Sequence, residues 1–272
     1  MSYASMMVNV DAEGAPERRV RLCASLADRF NATLIGISAT LCPPMIVERV
    51  AFQRTEDAEI KALTKKFADK GQWFLQTAGA GRRNCTWRTA FDFPAAALAR
   101  EARSADLVVI GRSAGSGDPY TSLDPGDVLL RLGRPALVVP DEVSSLVAEN
   151  VVIGWKDARE ARRAVLDALP FLHEATGVTI AEICLAGDED AAQARIDDVV
   201  RYLGNHRIRT KDRVILHQHG SGAAQLIGLA QEEHADLLVT GAYGHSRLGE
   251  WIFGGVTRDL LATSPICCLM SH

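Results

Sequence analysis

A chain of 272 residues, 47% hydrophobic and 24% charged, has the composition of a globular protein with room for two domains, which excludes a disordered or membrane-embedded class. Its formal charge of -4 at pH 7 gives no general pull toward nucleic acid or an anionic membrane, so any anion it binds has to be captured by a local site. The six cysteines, Cys23, Cys42, Cys85, Cys184, Cys267 and Cys268, show neither CxxC spacing nor a framework dense enough to staple the chain, and are expected as reduced thiols.

The opening stretch "MSYASMMVNVDAEG" has no basic region before its apolar run and meets Asp11 after a few residues, so it reads as a poor secretion signal. A cytoplasmic location is expected. No run of about 18 apolar residues occurs, so no transmembrane helix is expected either. Residues 5–38 read as apolar run, turn, amphipathic helix and second apolar run. The segment 41–81 contains "RTEDAEIKALTKKFADKG", predicted as a charged amphipathic helix that ends before Gly71. "ADLVVIG" at 105–111 is apolar enough to be a strand buried on both faces of a parallel sheet. "GRPALVVP" supplies the last strand of the first half, and the polar stretch "DEVSSLVAE", 141–149, is the expected linker.

Residues 150–183 repeat the pattern of 5–38. Within them Ala161, Val165, Ala168 and Leu169 recur at helical spacing as a core face, with Arg159, Glu160, Arg162 and Arg163 assigned to the opposite, solvent side. Trp155, at the end of a buried strand, suits core filling better than stacking on a base. His217 and His219 alternate on one strand face and could join His245, but no Cys or carboxylate completes a metal-binding spacing, so no metal is expected. "ADLLVTG" at 235–241 shares five of seven letters with 105–111 at a separation of 130 residues, and the same separation relates Pro135 to Pro265. The chain is therefore predicted as two copies of one βαβ-rich unit, 1–142 and 149–272, the second ending in a strand that packs Cys267 and Cys268.

The stretch "DLLVTGAYGHSRLGEWIFGGVTRDLL", 236–261, concentrates the chemistry. It leaves the carboxyl end of a predicted strand, where open α/β sheets bind ligands. Gly254 and Gly255 precede a predicted helix whose first amides lack internal partners and attract phosphate. Thr257 could donate a hydroxyl and Arg247 or Arg258 could add charge. The apolar triplet Trp251-Ile252-Phe253 is expected to cover the site or meet a partner domain.

The spacing G-x2-G-x9-G, read as Gly241, Gly244 and Gly254, together with the repeated unit, resembles the universal stress protein family in its tandem, two-domain form. That resemblance implies an α/β fold of two repeated domains, each an open five-stranded parallel sheet flanked by helices, of the adenine nucleotide alpha hydrolase-like type. It also implies ATP or another adenine nucleotide, with or without Mg2+, held by Gly241, Gly244, His245, Ser246, Gly254, Gly255, Val256 and Thr257, with Ile183 bordering the base; Arg247 is kept beside these as a candidate for added charge. Two positions depart from the family pattern: Gly255 stands where Ser or Thr is usual, and Lys156, followed by Asp157, stands where an Asp usually ends the first strand. Lys156 could pair with phosphate or simply lie on the surface.

In the first half the motif positions become Gly111, Ala114, Asp124 and Pro125. Asp118, Asp124 and Asp127 also bring negative charge, which disfavours an anion there. Asp11 matches the family's first-strand Asp. The first domain is thus expected to be degenerate.

By analogy with family dimers, strands at 135–140 and 265–270 are expected to pair within the chain as a pseudo-dimer, and two chains to associate. No GxSxG, HExxH or GxxxxGK[ST] motif occurs, so no catalytic residue is assigned. The function implied is a stress response protein with an adenine nucleotide as regulatory ligand. The alternatives are a weak ATPase or phosphotransferase and a nucleotide-free interaction scaffold.

Overall fold

A computed structural model describes residues 2–12, 16–41, 52–79, 84–112, 118–217, 220–244 and 253–272. The first half contains strands β1 (Ser5–Asn9), β2 (Thr33–Ala39), β3 (Cys85–Ala90), β4 (Leu107–Gly111) and β5 (Ala136–Val139), with helices α1 (Glu17–Arg29), α2 (Phe52–Gly79), α3 (Pro94–Glu101) and α4 (Pro125–Arg131). The second half contains β6 (Asn150–Trp155), β7 (Gly177–Cys184), β8 (Lys211–Leu216), β9 (Leu237–Gly241) and β10 (Cys267–Ser271), with α5 (Arg159–Leu172), α6 (Glu189–Asn205), α7 (Gly222–Glu232) and α8 (Phe253–Thr263). All ten strands form one sheet in the order β3-β2-β1-β4-β5-β10-β9-β6-β7-β8.

Within each half every pairing is parallel, and the strand order reverses between β1 and β4 and again between β6 and β9. The junction between β5 and β10 is antiparallel, with Val138 opposite Cys268, so the final strands do pair within the chain. The inner strands are apolar on both faces because helices cover both: every residue of β4 and β5 is buried. On β6, Val151, Ile153 and Trp155 join the core under α1, α5 and α6, while Val152 joins the opposite core under α3, α4, α7 and α8. The edge strand β8 exposes Lys211, Asp212 and Arg213, charges that discourage another chain from pairing with it.

Three aromatic rings hold the halves together on one face. Phe30 lies 5.2 Å from both Tyr3 and Phe171, and the Tyr3 hydroxyl donates to the Asp167 carbonyl at 2.6 Å. The stretch 141–149 is irregular, as a linker should be, yet it is pinned: the amides of Val147 and Ala148 donate to Asp236 at 3.1 and 2.7 Å, and Leu146 and Ala148 are buried. Among the described cysteines none is in a disulfide, and Cys42 lies outside the described residues. Among the described residues no helix is long and apolar enough to cross a membrane.

Two sequence readings are corrected. Helix α2 does not stop before Gly71 but continues to Gly79. Gly71 is a packing position: a Cβ there would fall 2.7 Å from the Trp87 ring, so the missing side chain lets the helix seat on β3. Glu160, assigned by periodicity to the solvent face of α5, is 5% exposed. The cause is a close contact between strand and helix that forms one wall of the cavity described next.

Candidate functional site

At the carboxyl ends of β6 and β9, where the strand order reverses, lies a cavity of about 450 Å3. Its floor is Gly154, Ala181, Thr240 and Gly241 from the strand ends, one wall is the start of α5 from Asp157 to Ala161, and the other is Leu226 of α7 with Val256 and Thr257 of α8. Gly241 makes this arrangement sterically feasible, since a Cβ there would lie 2.6 Å from the backbone nitrogen of Ala161 and 2.7 Å from the Glu160 carbonyl carbon. The first turn of α5 therefore rests directly on the end of β9, and the Glu160 side chain turns under the following loop. Its carboxylate accepts from Arg159 Nε at 3.1 Å, and Oε2 lies 3.3 Å from where a Cβ of Gly244 would stand.

The loop is anchored to α8. Tyr243 adopts a positive φ of 54°, and its amide donates to the Thr257 hydroxyl at 3.1 Å. That bond uses Thr257 as an acceptor and leaves the hydroxyl proton available to a ligand. The Tyr243 ring reaches the first half, where its hydroxyl packs so closely on Gly126 that a Cβ there would sit 2.6 Å from it. The loop beside the cavity thus touches the start of α4 across the seam.

Lys156 extends from the end of β6 into the cavity lining. Burial is the main influence on its amine and lowers its pKa to about 8; Glu182 opposes that shift and Arg195 adds to it. Glu182, on β7, accepts from Arg195 at 2.7 Å, and burial raises its carboxyl above the ordinary value. Its Oε2 is buried without a hydrogen-bond partner.

Six residues singled out in the sequence line this one cavity: Lys156, Ile183, Gly241, Gly244, Val256 and Thr257. Gly254 and Gly255 fall in the first turn of α8 beside it, and nothing lies within 4 Å of a Cβ placed on Gly255. His245, Ser246 and Arg247 lie outside the described residues, as do Trp251, Ile252 and His219. Arg258 is exposed and does not line the cavity. His217 pairs with Gln225 at 3.2 Å, and among the described residues no group of three or more metal-ligating side chains forms.

Sequence reading missed Glu160, Leu226 and Thr240. Only the last carried a usable signal, lying one residue before the first glycine at the strand end.

The first half presents a different picture at its own switch point. Arg19 of α1 is 7% exposed, its guanidinium packs against Gly111, and it forms an ion pair with Asp11. Of the acids expected to repel phosphate, Asp124 accepts from the Gly126 amide at 2.8 Å as the cap of α4, and Asp127 pairs with Arg131 at 2.6 Å.

Residues 173–272 match the sequence model of the universal stress protein family. The match lies within the second half. The first half repeats the strand order of the second, so the chain carries two copies of one fold. A universal stress protein from Archaeoglobus fulgidus DSM 4304 superposes with a TM-score of 0.75 at 14% identity, covering 100% of this chain and 96% of that one. A functionally unknown protein from Pseudomonas aeruginosa PAO1 gives 0.55 at 14% identity over 99% and 92% of the two chains. Both support the fold. A universal stress protein solved in complex with cAMP shares 22% identity over 52% of this chain and 100% of that one, at a TM-score of 0.38. No curated protein matches the chain.

Proposed function

We propose that the second-half cavity binds an adenine nucleotide as the regulatory ligand of a cytoplasmic stress response protein, and that the first half is a closed, degenerate copy that serves as its permanent partner. One observation carries this reading: residues named from a glycine spacing and a family resemblance, up to 101 positions apart, line a single cavity at the topological switch point. Its volume of about 450 Å3 lies in the range of small-molecule sites. Ala181, Ile183, Leu226 and Val256 offer an apolar slot for a planar base. Gly244 and the start of α8 lie where ribose and phosphate would follow, with the Thr257 hydroxyl as a donor.

In the first half, Arg19 and Asp11 take the ground that a ligand would need. Binding is therefore expected at one site per chain. Calorimetric titration of ATP, ADP and AMP into the protein, beside a folded Gly244→Val, Gly254→Val double variant, tests this. One site abolished in the variant supports the reading. Absence of binding to a wild type shown by mass spectrometry to carry no nucleotide overturns it.

A further inference from the structure

The described charges around the cavity do not suit a highly charged ligand. Lys156 and Arg159 are matched by Asp157 and Glu160, so the described lining carries no excess of positive charge. Arg159 holds its side chain largely in solvent, and Asp157 is drawn to Arg162 at 2.6 Å. Glu160 is the buried charged side chain among the described lining residues. It sits in the first turn of α5, where the helix dipole stabilises an acid and where an incoming anion would otherwise find free amides. Oε2 is directed at Gly244, the point at which ribose passes into phosphate under the nucleotide reading.

From this geometry we infer that Glu160 makes the cavity selective for adenine ligands of low phosphate charge, AMP in preference to ATP. The inference rests on the nucleotide reading and adds the class of nucleotide to it. A carboxylate at this place repels a polyphosphate chain running past Gly244, since Glu160 is 5% exposed and the guanidinium that pairs with it lies largely in solvent. The same oxygens can accept hydrogen bonds from ribose hydroxyls, which AMP presents with fewer phosphate charges nearby. Gly241 keeps Glu160 in position through the backbone contact between β9 and α5, so the selectivity is built into the fold.

The test is calorimetric titration of AMP and ATP in magnesium-free buffer into wild-type protein and into Glu160→Gln, which keeps the side chain's size and removes its charge. The wild type is expected to bind AMP at least about tenfold more tightly than ATP, and the variant to lose most of that difference by gaining ATP affinity. Tighter binding of ATP than AMP by the wild type, or an equal preference in wild type and variant, overturns the inference and leaves the nucleotide reading standing. Binding of neither ligand by the wild type overturns the nucleotide reading itself. The wild-type ratio decides the first point even where the variant fails to fold.

Discussion

The two halves of the molecule place the same strand order around the same switch point and differ in what stands there. In the first, the Arg19 guanidinium fills the space beside Gly111 and is neutralised by Asp11. In the second, the place beside Gly241 is taken by the backbone of α5, and the space above it remains open as a cavity. One strand order therefore carries different contacts at its two switch points: an arginine side chain against the glycine in one half, helix backbone against it in the other.

The largest expected effect comes from adding one methyl group at each glycine. Gly241→Ala pushes a Cβ into the α5 backbone, 2.6 Å from the Ala161 nitrogen, where neither segment can yield alone. A loss of about 1–3 kcal/mol is expected, together with weaker ligand binding. Gly111→Ala meets instead the far end of the Arg19 side chain, which can shift, so its loss should lie at the lower end of that range. Urea unfolding of the two variants measures both, and equal losses would break the comparison.

Next in size is a pH effect confined to the second half, which has Lys156 where the first has Asp11. Affinity for an anionic ligand is expected to fall as pH rises through about 8, where the amine loses its charge. Lys156→Met should flatten that profile in titrations on either side of the transition. The sign for stability is opposite. The folded-state value is depressed from 10.5, so the burial penalty is full below about 8, and stability attributable to this group rises with pH between those values.

The smallest effect sharpens the contrast with the usual family pattern. A side chain at Gly255 meets nothing within 4 Å, so Gly255→Ser should be accepted without repacking. It should raise helix stability by about 0.5 kcal/mol and tighten nucleotide binding by a few fold through the added hydroxyl. Unchanged affinity in calorimetry would show that this position does not face the ligand.

Much of this organisation is legible from sequence because buried parallel strands are continuous apolar runs, and a duplicated unit shows each of them twice. The matched runs at 105–111 and 235–241 locate β4 and β9, and Pro135 and Pro265 announce the strands that meet at the seam. Gly241, Gly244, Val256, Thr257, Lys156 and Ile183, named from the glycine spacing and the family resemblance, line one cavity because glycines and strand ends mark where backbone can approach a ligand.

What escaped reading depends on contacts between distant segments. Glu160 has the helical phase of a solvent residue and is buried by a loop more than 80 positions later. Gly71 has the appearance of a helix stop and is instead the seat of Trp87. Arg19 is one arginine in the charged run "ERRVR", and nothing local distinguishes the one that fills a cleft.

The antiparallel seam between β5 and β10 has a further consequence when viewed as an association equilibrium. Two separate domains that met through such strands would part on dilution, whereas here the short connection at 141–149 holds one beside the other at a high effective concentration. The pairing is then independent of how much protein the cell makes. Under that condition the first half covers the edge of β10 and supplies its aromatic contacts at every protein concentration, whether or not its own cleft can receive a ligand.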